Sequence, residues 1–162
     1  IIAELKHRDP QQREDAVERI AVRCGATLPT DLMMTDEQVR RLHRAGIDIG
    51  AHTMTHPILT CVDASSARRE IVDSKSRLEA IIGAPVTTFA YPNGKPSQDY
   101  DATHVAIVRE SGFDLALSTA WGAVTAHSDR YQIPRIAPWD VTSLRYAARM
   151  IRGYRQRNPV SA

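Results

Sequence analysis

Cysteine is scarce in this 162-residue chain: Cys24 and Cys61 are the only two, far apart and without C-x-x-C spacing. That excludes a disulfide-stapled scaffold and a cysteine zinc site. An excess of one charge is missing too, with 21 Lys and Arg against 19 Asp and Glu and a formal charge of +2, so no general field favours nucleic acid or an anionic membrane. No apolar run approaches the roughly 18 residues of a membrane-crossing helix. The first residues show no basic stretch followed by the apolar run of a secretory leader. Neither a fixed-period repeat nor a low-complexity segment occurs. What is present is 43% hydrophobic side chains, enough for one compact domain with its own core but not for two.

Local punctuation divides the chain. Asp9-Pro10-Gln11-Gln12 combines an N-cap, a proline at the first helical position and a glutamine three residues after the cap, which predicts a helix running to Gly25. Residues 1–8 read as the end of an earlier helix. Thr35 and Gln38 open another helix that stops at Gly46, and Ile47-Asp48-Ile49 then alternates as a strand leading into His52-Thr53-Met54-Thr55-His56-Pro57. The same helix–strand–loop order follows as helix 65–82, strand 86–91 and loop Pro92-Asn93-Gly94. It recurs as helix 102–110, strand 113–118 and the Trp121-Gly122 loop, then as strand 131–136 and the Pro138-Trp139-Asp140 loop, before a helix over 143–155. Alternating helices and short buried strands predict an α/β domain with a largely parallel sheet, and each suspicious polar cluster sits just after a strand.

His52 and His56 are the most informative pair. Two imidazoles four residues apart can converge on one metal through neutral ring nitrogens, with the hydroxyls of Thr53 and Thr55 available to orient them. The residues alone leave open a pair of loop histidines making ordinary hydrogen bonds. No glutamate follows His52, which excludes the helical H-E-x-x-H motif.

The stretch Gly46-Ile47-Asp48-Ile49-Gly50-Ala51-His52-Thr53-Met54-Thr55-His56-Pro57 resembles the H-[ST]-x-x-H-[PS] motif of the polysaccharide deacetylase family. Phe89-Ala90-Tyr91-Pro92-Asn93-Gly94 resembles the next motif of that family, and the likeness continues through Gly112-Phe113, Thr119, Gly122 and Ile133-Pro134-Arg135-Ile136, covering about residues 36–140. The resemblance implies a distorted or incomplete (β/α) barrel and a metal-dependent hydrolase that removes N- or O-acetyl groups from a polysaccharide or amino sugar. It implies a divalent metal, zinc foremost, held by His52 and His56 with an aspartate, lowering the pKa of a water and polarising the acetyl carbonyl that the water attacks. It also implies an oxyanion donor at the backbone N–H of Asn93, with Gly94 allowing close backbone approach. By family analogy the setting is the cell envelope or secretion.

The family's T-F-D-D segment is absent, since none of the twelve aspartates adjoins another. The expectation is therefore a C-terminal portion lacking the first strand, inactive alone, with residues 1–34 as a helical lead-in and 35–162 as the deacetylase-like domain. The alternative is a catalytically inactive deacetylase-like domain that binds carbohydrate or metal. Asp48 is a conceivable stand-in for the missing carboxylate. Ala90 replaces an arginine common in the family, and Arg135 stands in the late motif, either paired with a site carboxylate or simply exposed; the general acid is not identified. Tyr91, Pro92, Trp121 and Trp139 are candidate substrate-binding residues, the aromatics either stacking on sugars or capping the core. His7, His43, His104 and His127 read as structural, solvent-facing histidines. Arg145, Arg149, Arg152, Arg155 and Arg157 read as a solvated helix face with no nucleic-acid partner, and an unpaired sheet edge predicts self-association.

Overall fold

A computed structural model of the chain describes residues 2–136, 139–156 and 160–162. Pro138 and Arg157, and with them part of one predicted loop and one of the arginines, lie outside the described residues, as does Ile1. Six helices are described: α1 (Ile2–Lys6), α2 (Pro10–Cys24), α3 (Asp36–Arg44), α4 (Ala64–Ile82), α5 (Ala102–Glu110) and α6 (Ser143–Arg155). Three strands form one parallel sheet: β1 (Thr88–Ala90), β2 (Leu115–Ser118) and β3 (Ile133–Pro134), in the order β1-β2-β3. Phe89 lies opposite Ala116, and Leu117 opposite Ile133. This is the α/β architecture expected, an incomplete (β/α) barrel.

Helix ends follow local chemistry. The Asp9 side chain accepts the N–H groups of Gln11 and Gln12, and Gly25 ends α2 in the left-handed conformation. Thr35 and Gln38 exchange both bonds of a capping box at α3, and Asp63 caps α4. Asp101 and His104 form the equivalent box at α5. His104 is consequently buried, which corrects its reading as solvent-facing: its Nδ1 accepts the Asp101 N–H at 3.1 Å.

Strands are shorter than the sequence pattern suggests. Ile47–Ile49 is not a strand, because the Ile47 N–H turns back to the Leu42 carbonyl and closes the end of α3. Only Ala51 pairs with the sheet, donating to Thr88 O at 2.8 Å and accepting from Ala90 N at 2.9 Å. That bridge delivers the chain to His52 beside β1.

The core lies between the sheet and α4–α5. It gathers Ile71, Val86, Phe89, Tyr91, Tyr100, Val108, Phe113 and Ala116. Each large side chain buried there contributes about 1.5–3 kcal/mol by removal from water. Successive strand residues face opposite ways, so Phe89 and Tyr91 point together into this core while Ala90 points away from it.

Candidate functional site

The histidine loop leaves Ala51 at the edge of β1. Two non-glycine residues in it take the left-handed conformation, Thr53 at φ 64° and His56 at φ 56°, which folds the loop tightly enough to turn the second imidazole back toward the first. The Thr53 hydroxyl donates to His52 O at 2.6 Å and accepts from His56 N at 3.1 Å. The two rings end 4.8 Å apart between centroids, inclined by 74°.

The threonine hydroxyls therefore shape the backbone of the loop and do not orient the rings. Orientation of His52 comes from β1: its Nδ1 lies 2.6 Å from the carbonyl oxygen of Ala90. A carbonyl only accepts, so Nδ1 carries the proton and Nε2 keeps its lone pair. Burial lowers the His52 pKa, the Ala90 hydrogen bond opposes that, and the nearby charges of His56 and Arg135 lower it further. The imidazole is held in the neutral form that ligates a metal. The loop is clamped from α4 by Glu70, whose Oε2 accepts from Met54 N and Thr55 N at 2.8 and 2.9 Å and whose Oε1 accepts from the Thr55 hydroxyl at 2.8 Å. Sequence reasoning missed Glu70; it stands mid-helix, and no local signal marks a contact 15 residues away.

Asn93, three residues beyond Ala90, takes φ 57°, and Gly94 follows at φ 75°. A Cβ on Gly94 would stand 3.0 Å from Tyr91 O and 3.1 Å from Thr119 N, so the glycine is required by both conformation and space. Thr119, at the end of β2, fixes this turn twice: its hydroxyl donates to Asn93 O at 2.7 Å and its N–H to Gly94 O at 2.7 Å. Among the described residues nothing accepts the Asn93 N–H, which leaves that donor available.

The other candidates divide. Tyr91 is fully buried, its ring stacked on Tyr100 at 3.8 Å and 7° with its hydroxyl on Tyr131 O, so it has no face left for a sugar. Pro92 is buried beside it. The alternation from Phe89 was the signal that assigns Tyr91 to the core. Trp139 is 83% exposed, whereas Trp121 is half-buried against α6 with the Arg149 guanidinium 5.5 Å from its ring centroid. Arg135 is exposed and pairs with no carboxylate among the described residues, although its charge reaches His52. Asp48 is also exposed, and no group of three His, Cys, Asp or Glu able to hold a metal forms among the described residues, so Asp48 does not join the imidazoles.

The family model for polysaccharide deacetylase matches residues 15–116, beginning inside α2 and spanning both loops just described. The chain belongs to the polysaccharide deacetylase family. Among curated relatives, YxkH of Bacillus subtilis (strain 168), whose name places it with these deacetylases, is 24% identical over 103 residues, covering 64% of this chain and 36% of that protein. The deacetylase PplD of Streptococcus pyogenes, solved in complex with acetate, superposes with a TM-score of 0.61 at 24% identity, over 66% of this chain and 46% of that one. A polysaccharide deacetylase from Bacillus cereus gives 0.63 at 22% identity, over 75% and 37%. These likenesses show a shared fold, and the chain spans less than half the length of each relative.

Proposed function

We propose that His52 and His56 are the imidazole half of a divalent-metal site, zinc foremost, in a hydrolase that removes acetyl groups from an N- or O-acetylated glycan. The observation that carries this reading is the arrangement of the pair: two adjacent rings, one fixed by Ala90 O so that Nε2 is free. The donors fit such a metal, since nitrogen ligands with an oriented outer partner suit zinc. A bound divalent ion would supply Lewis acidity toward the acetyl carbonyl and the attacking water. Around it, the chain's own groups have separate tasks. The Asn93 N–H donates to the oxygen on which negative charge develops, held in place by Thr119. Glu70 keeps the loop closed, and Arg135 adds positive charge beside His52.

No carboxylate stands with the imidazoles among the described residues. The 162-residue chain by itself is therefore proposed to bind metal without turning over, for want of a base to take the proton of water. The cell envelope or secretion is the proposed setting, by the family's habit alone. The test is metal content and affinity, by elemental analysis and calorimetry, for the chain and its His52→Ala/His56→Ala variant. Metal bound one to one and lost in the variant supports the reading. Absence of metal from both favours a deacetylase-like carbohydrate-binding domain instead.

A further inference from the structure

One depression plays no part in that chemistry. It holds about 500 Å³ between the Trp121 loop and α6, and Trp121, Asp140, Arg145, Ala148, Arg149 and Arg152 line it. The three arginines recur at helical spacing and share one face of α6, with Ala148 between them contributing only a methyl group to the floor. Like charges at such spacings disfavour a helix, and Arg145 sits in the first turn, at the end of the helix dipole that repels a cation. Arg152 stands in the last turn, where the dipole favours a cation, so helix stability accounts for Arg152 but not for Arg145.

A single carboxylate faces it. The guanidinium of Arg149 grips both oxygens of Asp140, through Nε and through a second bond of 3.1 Å. Among the described residues Arg145 and Arg152 form no ion pair, although the charge of Arg145 also bears on Asp140 and helps to hold its carboxyl below the usual range. Its wall is aromatic. The indole lies against α6 at Gly153, where a Cβ would make an ordinary contact with Trp121 Cζ2 at 3.6 Å and a tight one with Ile136 Cδ1 at 3.3 Å. Arg149 stands over one face of this half-buried indole; the rest of the ring beside the guanidinium forks matches an acidic sugar, whose ring C–H groups pack on the aromatic while its carboxylate takes a bidentate pair. Trp121 follows Thr119 by two residues, at most about 7 Å of chain, and Thr119 is bonded to the Asn93 carbonyl.

We propose that this pocket binds a uronate residue of the glycan whose acetyl group is presented at the His52–His56 site. The placement next to an acetylated sugar rests on the deacetylase reading; the preference for a carboxylate does not. A nucleic acid is a poorer match, because the formal net charge of the chain is only +2 and no aromatic or glycine-rich nucleic-acid motif accompanies the arginines.

The test is calorimetric titration of the full chain with tetragalacturonate and with its methyl ester, which keeps the sugar backbone and removes the charge. The expected result is at least tenfold tighter binding of the free acid, a preference abolished in Arg145→Gln/Arg152→Gln. Trp121→Ala should weaken both ligands together. The His52→Ala/His56→Ala variant should keep the acid-over-ester preference, so failure of the metal site and failure of the uronate pocket read out separately. Equal affinity for acid and ester, no binding of either, or an unchanged preference in the arginine variant overturns the proposal. Binding of inorganic phosphate or a short oligodeoxythymidine as tightly as tetragalacturonate overturns it as well, leaving only an unselective anion patch.

Discussion

The Nδ1 of His52 and the carbonyl oxygen of Ala90 lie 2.6 Å apart, which ties one imidazole of the histidine loop to the backbone of β1. No side-chain substitution removes that acceptor. The orientation of the ring is thus as rigid as the strand, whereas the rest of the loop depends on the carboxylate of Glu70.

Glu70→Gln halves the acceptor capacity that holds Met54 N, Thr55 N and the Thr55 hydroxyl. Zinc affinity, measured by competition with a chromogenic chelator, should fall about tenfold, at the low end of what loss of an outer-shell partner costs. Unchanged affinity would show that Thr53 and the backbone hold the loop unaided.

The turn at Asn93-Gly94 separates main-chain from side-chain roles. Asn93→Gly preserves both the N–H and the left-handed conformation, and should change unfolding free energy by less than about 1 kcal/mol. Gly94→Ala places a methyl against Tyr91 O and Thr119 N at a φ of 75° and should cost about 1–3 kcal/mol in urea denaturation. Equal stability of the two variants would contradict the close approach.

Burial raises the Tyr100 phenol to about 12 and the Tyr91 phenol higher still, the latter also through Tyr100 and Asp129. An unfolded chain releases these protons near pH 10. From there upward the unfolded state binds fewer protons than the native one, so stability should fall as pH rises from about 10 toward 12. Denaturation midpoints at pH 9, 10 and 11 should show a shallower decline in Tyr100→Phe. At neutral pH, Tyr91→Ala should cost about 3–5 kcal/mol, as expected for an aromatic side chain removed from a core. Trp139→Ala should stay within about 0.5 kcal/mol.

Self-association is a further expectation, with a second copy of the chain as the partner. Leu28, Leu32, Met33 and Met34 are exposed close together in sequence, and among the described residues the outer edge of β1 is bridged only at Ala51. Light scattering after size exclusion should show a concentration-dependent dimer that Leu32→Lys/Met33→Lys shifts to monomer. A monomer at millimolar concentration in the unsubstituted chain would count against it.

Helices were legible because their signals are local. Asp9, Thr35 and Gly25 act on residues two to four positions away, within the reach of sequence reading. Strands were less so, since a strand exists only where a partner supplies hydrogen bonds. Ile47–Ile49 has the right alternation, but its first N–H is spent on Leu42 O. The two histidines and the Asn93-Gly94 turn were visible as spacing and as turn chemistry. Glu70 and the double clamp by Thr119 were not, because helix α4 and strand β2 bring them in from 15 and 26 residues away. Tyr91 went astray for a different reason: its position after a strand was weighed, while the period of two counted from Phe89 was not.

The bridge at Ala51 has a consequence for the timing of local opening. Ala51 N, Ala90 N and Tyr91 N all donate to backbone carbonyls, the first two across the outer edge of β1 and the third to Leu117 O of β2, while Met54 N and Thr55 N donate to a side chain. Amide hydrogens of the first group exchange with solvent only when strands separate; those of the second are released whenever the Glu70 carboxylate swings away. Deuterium uptake would therefore pass through the loop between the imidazoles long before it reaches the strand that aims His52, so the two imidazoles lie side by side but do not keep one clock.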